Sequence, residues 1–114
     1  MMTCDKPRMK VFLSGMITND PAYQVKFAKA AYLLEQAGYA VMNPAILPSS
    51  GFEHGEYLKV TLAMMSVCEA VCLLPDWINS EGAQMEVAEA TRAGMQIFTF
   101  EEWKAEVDRR LATV

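Results

Sequence analysis

The chain has 114 residues, of which 53% are hydrophobic and 21% charged. This size and composition are typical of one globular domain and exclude a disordered tail or a coiled coil. Fourteen acidic residues against ten Lys and Arg give a formal net charge of −4, the wrong sign for a protein that holds nucleic acid through phosphates. We therefore expect one domain over residues 1–114, with a core over about residues 9–100, a C-terminal helix over about residues 101–112, and no nucleic-acid polymer as partner.

Membrane and metal sites are not expected either. The apolar run at residues 70–74 is far shorter than the ~20 residues of a membrane span. The N-terminal residues lack the apolar segment of a secretory signal, so a cytoplasmic location is expected. With three cysteines and one histidine, and no second cluster to complete the Cys68/Cys72 spacing, neither a disulfide framework nor a metal site is predicted.

Residues 10–42 predict a strand, a helix and a second strand. Residues 10–14 (KVFLS) form a short apolar run that ends at Gly15, as buried strands do. Residues 19–21 (NDP) are a helix-start signature, and Gly38 is the expected end of that helix. The apolar residues at helical spacing in it are Val25, Ala28, Tyr32 and Leu33. Residues 39–42 predict the second strand.

The rest of the chain continues the alternation. A loop at residues 45–55 is long enough to be functional, and in the helix predicted over residues 56–67 the apolar side chains recur at helical spacing. Residues 70–74 are apolar on both faces, as in a central parallel strand. A turn at residues 75–79, a helix over 80–93, a strand over 96–100 and a helix over 101–110 complete the order.

Strands that alternate with helices predict an α/β fold. We expect a flavodoxin-like or Rossmann-like three-layer sandwich with a parallel sheet of about four to five strands in the order 2-1-3-4. Ligands bind such sheets beyond the carboxyl ends of the strands, where the strand order reverses. The loops at residues 14–20 and 75–80 are therefore expected to face each other across a crevice.

Glu86 is the candidate reactive group. On a helical wheel Ala83, Val87 and Ala90 lie on the face expected to pack on the sheet, and Glu86 lies at the edge of that face. A half-buried carboxylate beside a cleft is a candidate nucleophile or base. The alternative is a boundary glutamate paired with an Arg or Lys.

The start of the same helix is a candidate anion site. Ser80, Gly82 and Ala83 open it, and the amides and hydroxyl of such a helix N-terminus can hold a phosphate. Ser80 can equally be only the N-cap. After the first strand, Ser14 and Gly15 either let the backbone approach a ligand or let the strand turn into a loop.

Two other side chains have alternative interpretations. Trp77, in the turn after the third strand, either stacks on a base or packs against the core or an interface. His54 lies in the long loop beside Glu53, and we expect it to be solvated rather than bound to a ligand.

Three stretches resemble the nucleoside 2-deoxyribosyltransferase-like superfamily: FLSGM, NPAILP and CEAVCLLPDWINSEGAQMEVAEATRAG. The similarity covers roughly residues 9–100, is closest to compact bacterial and phage members, and is most specific in the W-x-x-S-x-G-A-x-x-E run that ends at Glu86. It implies that Glu86 attacks the anomeric carbon of a 2-deoxyribosyl group, after which water or a second base resolves the intermediate. Ser80 matches a serine that the deoxynucleotide hydrolases associate with the 5′-phosphate.

The implied function is N-glycosidic bond cleavage, or 2-deoxyribosyl transfer, on (deoxy)nucleoside 5′-monophosphates or nucleosides. It requires no cofactor and no metal. A domain this small has a shallow crevice, so a homo-oligomer, a dimer or tetramer, is expected to complete the site. The substrate contacts expected from the motifs are Phe12, Ser14, Gly15, Asn43, Trp77, Ser80, Gly82 and Ala83.

The chain departs from this superfamily at two positions. Phe12 stands where a tyrosine supports the nucleophile, and Thr61, eight residues before the acidic Glu69, stands where an aspartate is usual. A catalytically silent nucleotide-binding or sensing module of the same fold is therefore the alternative function. A second superfamily that cleaves base–ribose bonds ranks below both, because it expects a Pro-Gly-Gly loop where this chain has LPDWINSEG.

Overall fold

The computed structural model describes residues 8–112. Within them four strands alternate with four α-helices, and single-turn 3₁₀ helices lie at Pro44–Ile46 and Trp77–Asn79. The strands are β1 Lys10–Ser14, β2 Ala40–Met42, β3 Ala70–Leu73 and β4 Gln96–Thr99. The helices are α1 Tyr23–Gln36, α2 His54–Ser66, α3 Glu81–Arg92 and α4 Phe100–Ala112. Most of the N-terminal stretch considered above for a secretory signal lies outside the described residues.

The four strands form one parallel sheet in the order β2-β1-β3-β4. This order confirms the predicted fold class. β1 and β3 occupy the centre, where Phe12 pairs with Val71 and Ser14 with Leu73. Apart from Lys10, every residue of these two strands is buried, as expected of strands covered on both faces. Their carboxyl ends lie side by side, where ligands of such sheets bind.

Helices α1 and α4 cover one face of the sheet. The core cluster on this face contains twelve buried residues: Val11, Leu13, Phe27, Ala30, Leu34, Tyr39, Ala45, Ala70, Cys72, Leu74, Trp103 and Val107. Trp103 fixes α4 to the sheet, because its indole N–H donates to the Val71 carbonyl oxygen at 3.0 Å. Its ring also makes edge contacts with Tyr39 and Phe98. The larger part of the core therefore lies on this face.

The face of α1 that packs on the sheet differs from the predicted one. Phe27, Ala30 and Leu34 are buried, whereas Val25 and Tyr32 are 58% and 65% exposed. Of the other two residues of the predicted set, Ala28 is exposed and Leu33 only partly buried. Both sets have helical spacing, so the period alone does not choose between them. Phe27 has no polar atom to keep hydrated, which favours its burial over that of Tyr32.

Helices α2 and α3 cover the opposite face over a smaller cluster. Its five buried members are Phe12, Met65, Val71, Leu73 and Ala90. Because side chains alternate along a strand, Ser14 lies on the same face as Phe12. This face therefore presents Ser14 to α3, in which Glu86 is buried.

Local signals set the helix boundaries. α2 begins at His54, two residues before the predicted start, because Glu53 and Glu56 form a capping box in which the Glu53 amide donates to Glu56 Oε1 at 2.8 Å. Gly38 and Gly94 follow α1 and α3 with φ of +95° and +73°, the left-handed conformation expected at helix ends. In the part of the chain described here, no helix has the length and apolar character needed to cross a membrane.

Candidate functional site

A cavity of about 340 Å³ opens at the carboxyl ends of β1 and β2. The loop after β1, the loop after β2, one face of α2 and the start of α3 line it. Its volume lies within the range of small-molecule sites. Glu86, Thr61, Ser80 and Gly15 are all among the lining residues. The structure thus brings several of the predicted site residues to one place.

Glu86 is the carboxylate among the lining residues. It lies in the second turn of α3 and is 7% exposed. Its Oε1 accepts a 2.7 Å hydrogen bond from Ser14 Oγ. The Thr61 hydroxyl donates to the Leu58 carbonyl oxygen at 3.2 Å. Burial raises the pKa of the Glu86 carboxyl group, and the Thr61 and Ser14 hydroxyl groups oppose that rise.

These partners bear on the two interpretations of Glu86. The interactions that change its pKa come from hydroxyl groups rather than from a Lys or Arg. The alternative of a boundary glutamate held by a cation therefore has no support among the described residues. A carboxylate with a raised pKa in the wall of a cavity is the type of group that acts as nucleophile or base.

The start of α3 forms one edge of the cavity. Ser80 is the N-cap, and its Oγ accepts a hydrogen bond from the Ala83 amide at 3.1 Å. A hydroxyl that accepts one hydrogen bond can still donate another, so the N-cap and ligand-binding interpretations of Ser80 are compatible. Gly82 and Ala83 also line the cavity. The positive end of the helix dipole is therefore at the cavity edge.

The start of α2 lies beside the start of α3. His54 is its first residue and lines the same cavity. Its imidazole lies over Gly82, since a Cβ built on that glycine would be 3.5 Å from His54 Cε1. His54 was expected to be only solvated. The structure shows that it is both exposed and part of the cavity wall.

Gly15 fixes the path of the loop after β1. A Cβ at this position would be 2.8 Å from the Leu74 Cβ, closer than two side chains pack. Glycine therefore allows the chain to turn tightly over the end of β3. A few residues later Asn19 adopts a left-handed conformation with φ of +67°, which asparagine tolerates better than most residues.

The part of the cavity opposite the loop at residues 14–20 differs from the prediction. The loop at residues 75–80 was expected to face the loop at residues 14–20 across an open crevice. Instead, Asp76 Oδ1 accepts a hydrogen bond from the Met16 amide at 3.0 Å, and Asp76 Oδ2 forms an ion pair with Lys26. Lys26 Nζ also bonds to the Met16 carbonyl oxygen at 2.9 Å and to Asp20 at 2.5 Å. These contacts join the two loops, and the cavity opens instead toward β2 and α2.

The contribution of the Lys26 network to stability can be tested by substitution. Changing Lys26 to Met keeps the length of the side chain and removes the charge that holds Asp20 and Asp76. We expect the melting temperature to fall by roughly 4–8 °C, the usual effect of losing one good interaction in a domain of this size. Calorimetry measures it, with Lys29→Met, an exposed position on the same helix, as the control. Equal melting temperatures for both variants would contradict the tethering role.

Five of the predicted site residues do not line this cavity. Ser14 is one of them and is fully buried at the end of β1. Phe12 is fully buried in the core beneath it. The Asn43 side chain accepts a hydrogen bond from the Ala45 amide and caps a 3₁₀ turn. Trp77 packs against the α2 and α3 core cluster and borders a smaller depression beyond β3. Glu69 precedes β3, at the opposite end of the sheet, and pairs with Lys10 at 3.8 Å.

The cavity also contains residues that sequence reasoning missed. Tyr23, Tyr57, Leu58 and Leu47 line it, and they supply aromatic and apolar surface, whereas Trp77 has the second of its two interpretations and packs against the core. His54, Tyr57, Leu58 and Thr61 follow the i, i+3, i+4, i+7 spacing of one helix face. That spacing was available in the sequence, but nothing in it showed that the face borders a cavity instead of the core.

No cysteine is among the described residues that line the cavity. Residues 8–112 contain no cluster of three His, Cys, Asp or Glu side chains suited to a metal ion. Cys72 is buried and Cys68 half-buried, and burial raises the pKa of these thiols to about 12 and about 11. Both thiols are therefore neutral at physiological pH and poor nucleophiles.

Comparison with known proteins places the chain in a family. No curated protein matches the sequence. The family model that does match is a domain of unknown function, DUF4406, and its match covers residues 9–99. That range extends from the start of β1 to the end of β4 and includes every residue that lines the cavity. The chain therefore belongs to the DUF4406 family.

Proposed function

We propose that the protein cleaves the N-glycosidic bond of (deoxy)nucleoside 5′-monophosphates or nucleosides, with Glu86 as nucleophile. The observation that carries this proposal is the buried Glu86 carboxylate in the wall of a cavity of about 340 Å³, hydrogen-bonded to the Ser14 hydroxyl. The resemblance to the nucleoside 2-deoxyribosyltransferase-like superfamily supports the choice of substrate. No cofactor takes part in the proposed reaction.

The proposed reaction has two steps. First, the ionised Glu86 attacks the anomeric carbon, a bond forms between carbon and carboxylate oxygen, and the base leaves with the electron pair of the broken C–N bond and takes a proton from solvent. Second, water attacks the same carbon, releases the sugar, loses a proton to solvent and regenerates the carboxylate. A second base in place of water gives transfer instead of hydrolysis. Configuration at the anomeric carbon is retained.

The shape of the cavity suggests how a nucleotide would be oriented. The N-terminus of α3, with Ser80, suits the phosphate, because its amides and hydroxyl donate hydrogen bonds and its dipole favours negative charge. Tyr23 and Tyr57 provide aromatic surface for the base. Glu86 lies on the same helix as Ser80, two turns along. The sugar would therefore lie between the phosphate end and the base, against the carboxylate.

Substitutions at Ser80 test the phosphate end of this arrangement. Ser80→Ala removes the hydroxyl and should reduce the preference for a monophosphate over its nucleoside by about 1–2 kcal/mol. Because Ser80 is also the N-cap, the alanine variant should lose some stability. Ser80→Asp keeps a good N-cap but places a negative charge beside the phosphate, so it should remove the preference without that loss of stability. Paired calorimetric titrations measure both affinities, and equal wild-type affinities for nucleoside and monophosphate would contradict the assignment.

The proposed function itself is tested by product analysis. The protein is incubated with a panel of nucleosides and 5′-monophosphates, in the ribo and deoxy series, and free base is quantified by chromatography. We expect base release, faster from monophosphates than from nucleosides. A separate light-scattering measurement of the size of the protein in solution tests the predicted homo-oligomer.

A silent binding module is the alternative, and one observation favours it. Phe12 stands where the superfamily has a tyrosine and brings no hydroxyl to the cavity. Such a module would show nucleotide-dependent thermal stabilisation, about 2.7 kcal/mol at 100 times the dissociation constant, without release of base. Absence of any thermal shift with nucleosides, nucleotides or sugar phosphates would overturn both functions.

A further inference from the structure

The environment of Ser14 indicates a role different from substrate contact. Ser14 is the last residue of β1 and is fully buried. It pairs with Leu73 of β3 and lies on the face of the sheet covered by α2 and α3. It is absent from the lining of the cavity, whereas its neighbour Gly15 is present. A substrate in the cavity therefore meets Glu86 and not Ser14.

The Ser14 hydroxyl donates its hydrogen bond to the Glu86 carboxylate. Ser14 Oγ donates to Glu86 Oε1 at 2.7 Å, and both residues are buried. That length is typical of a hydrogen bond from a hydroxyl to an oxygen, and with an ionised carboxylate as acceptor the bond is charge-assisted. Such bonds are worth about twice those between neutral groups, and more where water is excluded. The bond thus favours the charged form of Glu86 and fixes one of its two oxygens.

Thr61 acts on the same carboxylate from a second element. It lies on α2, is 6% exposed, and donates its hydrogen bond to the Leu58 carbonyl oxygen at 3.2 Å. Its hydroxyl lowers the pKa of Glu86 in the same direction as Ser14, but the hydrogen bond that fixes the carboxylate oxygen comes from Ser14. Among the described residues, the two groups that lower the pKa of Glu86 are hydroxyl groups, which carry no formal charge, so hydroxyl donation opposes the cost of burying the carboxylate.

We propose that Ser14 is a positioning residue that orients the Glu86 carboxylate through Oε1 and holds it in the ionised form required for attack. This inference rests on the proposed function of Glu86 as nucleophile. Phe12, on the same face of β1 two residues earlier, carries no hydroxyl. Ser14 supplies the donor from the next position on that face.

A merely structural role for Ser14 predicts a different result. A buried hydroxyl requires a hydrogen-bond partner, and Glu86 provides one. If satisfying that requirement were the whole role, Ser14→Ala would change stability but leave the turnover per folded molecule unchanged. A positioning residue instead changes the pH at which Glu86 ionises, and it changes kcat more than KM.

The experiment measures the titration of Glu86 directly. The side-chain carboxyl ¹³C resonance of Glu86, assigned by its loss in Glu86→Gln, is followed against pH in the ligand-free protein. In Ser14→Ala we expect the titration to move to higher pH. With substrate, the acid limb of the kcat profile should move in the same direction, and kcat on that limb should fall roughly tenfold. Thr91→Val, which removes a hydroxyl bonded to a backbone carbonyl on the exposed side of α3, is the matched control and should leave both curves unchanged.

The outcomes separate this inference from the proposed function. If Ser14→Ala titrates like the wild type, the positioning role is wrong, even if base release is observed. If no nucleotide releases base but the Glu86 titration still moves, Ser14 still controls the ionisation of Glu86 and the proposed reaction is wrong. Should the alanine variant fail to fold, Ser14→Cys keeps nearly the same volume with a weaker donor, and its titration should move in the same direction.

Discussion

Glu86→Gln is expected to reduce base release by several orders of magnitude while the protein stays folded. The substitution keeps the volume of the side chain and an oxygen that accepts from Ser14, but removes the anionic nucleophile. Chromatographic detection of free base measures the loss. Glu89→Gln is the matched control, because Glu89 lies on the same helix and pairs with Arg92 on the surface. Wild-type turnover in Glu86→Gln would show that Glu86 is not the nucleophile.

Glu86→Gln should also change the way in which the stability of the protein depends on pH. Burial raises the pKa of Glu86 in the folded state above its ordinary value of 4.5, so the folded protein binds this proton more tightly than the unfolded chain. The stability that this proton contributes is therefore complete below pH 4.5 and is lost as the pH rises through the folded-state pKa. Glu86→Gln lacks this loss. Relative to wild type, its melting temperature should rise between pH 4 and pH 8, and a difference independent of pH would contradict the buried-charge description.

Trp103→Ala is expected to have the opposite pattern, with a large effect on stability and none on the chemistry. Trp103 is 5% exposed, donates to the Val71 carbonyl and contacts two aromatic rings. Truncation of such a side chain typically costs about 3–5 kcal/mol, a large part of the stability of a small domain. Urea denaturation measures the loss.

The matched variant Trp103→Phe keeps an aromatic ring and removes only the N–H donor. It should therefore lose less stability than Trp103→Ala. At temperatures where Trp103→Ala remains folded, its kcat should equal that of the wild type, because α4 contributes nothing to the cavity. A loss below about 1 kcal/mol for Trp103→Ala would contradict the central position given to this residue.

The sequence predicted the fold well because each element has a distinct local signal. The apolar runs at β1 and β3, the glycines after α1 and α3, and the alternation of strands and helices predict a parallel α/β sheet, and the expected order 2-1-3-4 is the one observed. The predicted buried face of α1 was wrong. Two sets of residues in this helix share the helical period, and only the packing decides which set is buried. The residues of a buried strand are enough to predict it, whereas the buried face of a helix depends on the element that the helix packs against.

The site was less predictable for the same reason. Glu86 and Ser80 could be identified from a helical wheel and a capping position, and the structure places both at the cavity. The hydrogen bond between Ser14 and Glu86 joins residues 72 positions apart, and the wall formed by Tyr57 and His54 depends on how α2 lies against α3. The expected crevice is closed because Lys26 of α1 forms an ion pair with Asp76 in the loop after β3. These long-range contacts have no local signal.

The unequal division of the core between the two faces of the sheet bears on how this fold diversifies. The α1 and α4 face contains twelve buried core residues and the α2 and α3 face five, while the cavity is bordered by the second pair of helices. Most of the buried core residues therefore lie on the face of the sheet opposite the two helices that border the cavity. New side chains at the exposed positions of the loop after β2, such as Pro48 and Ser49, can be sampled at little risk of unfolding. A scaffold arranged in this way can acquire new ligand specificities while its larger core stays unchanged.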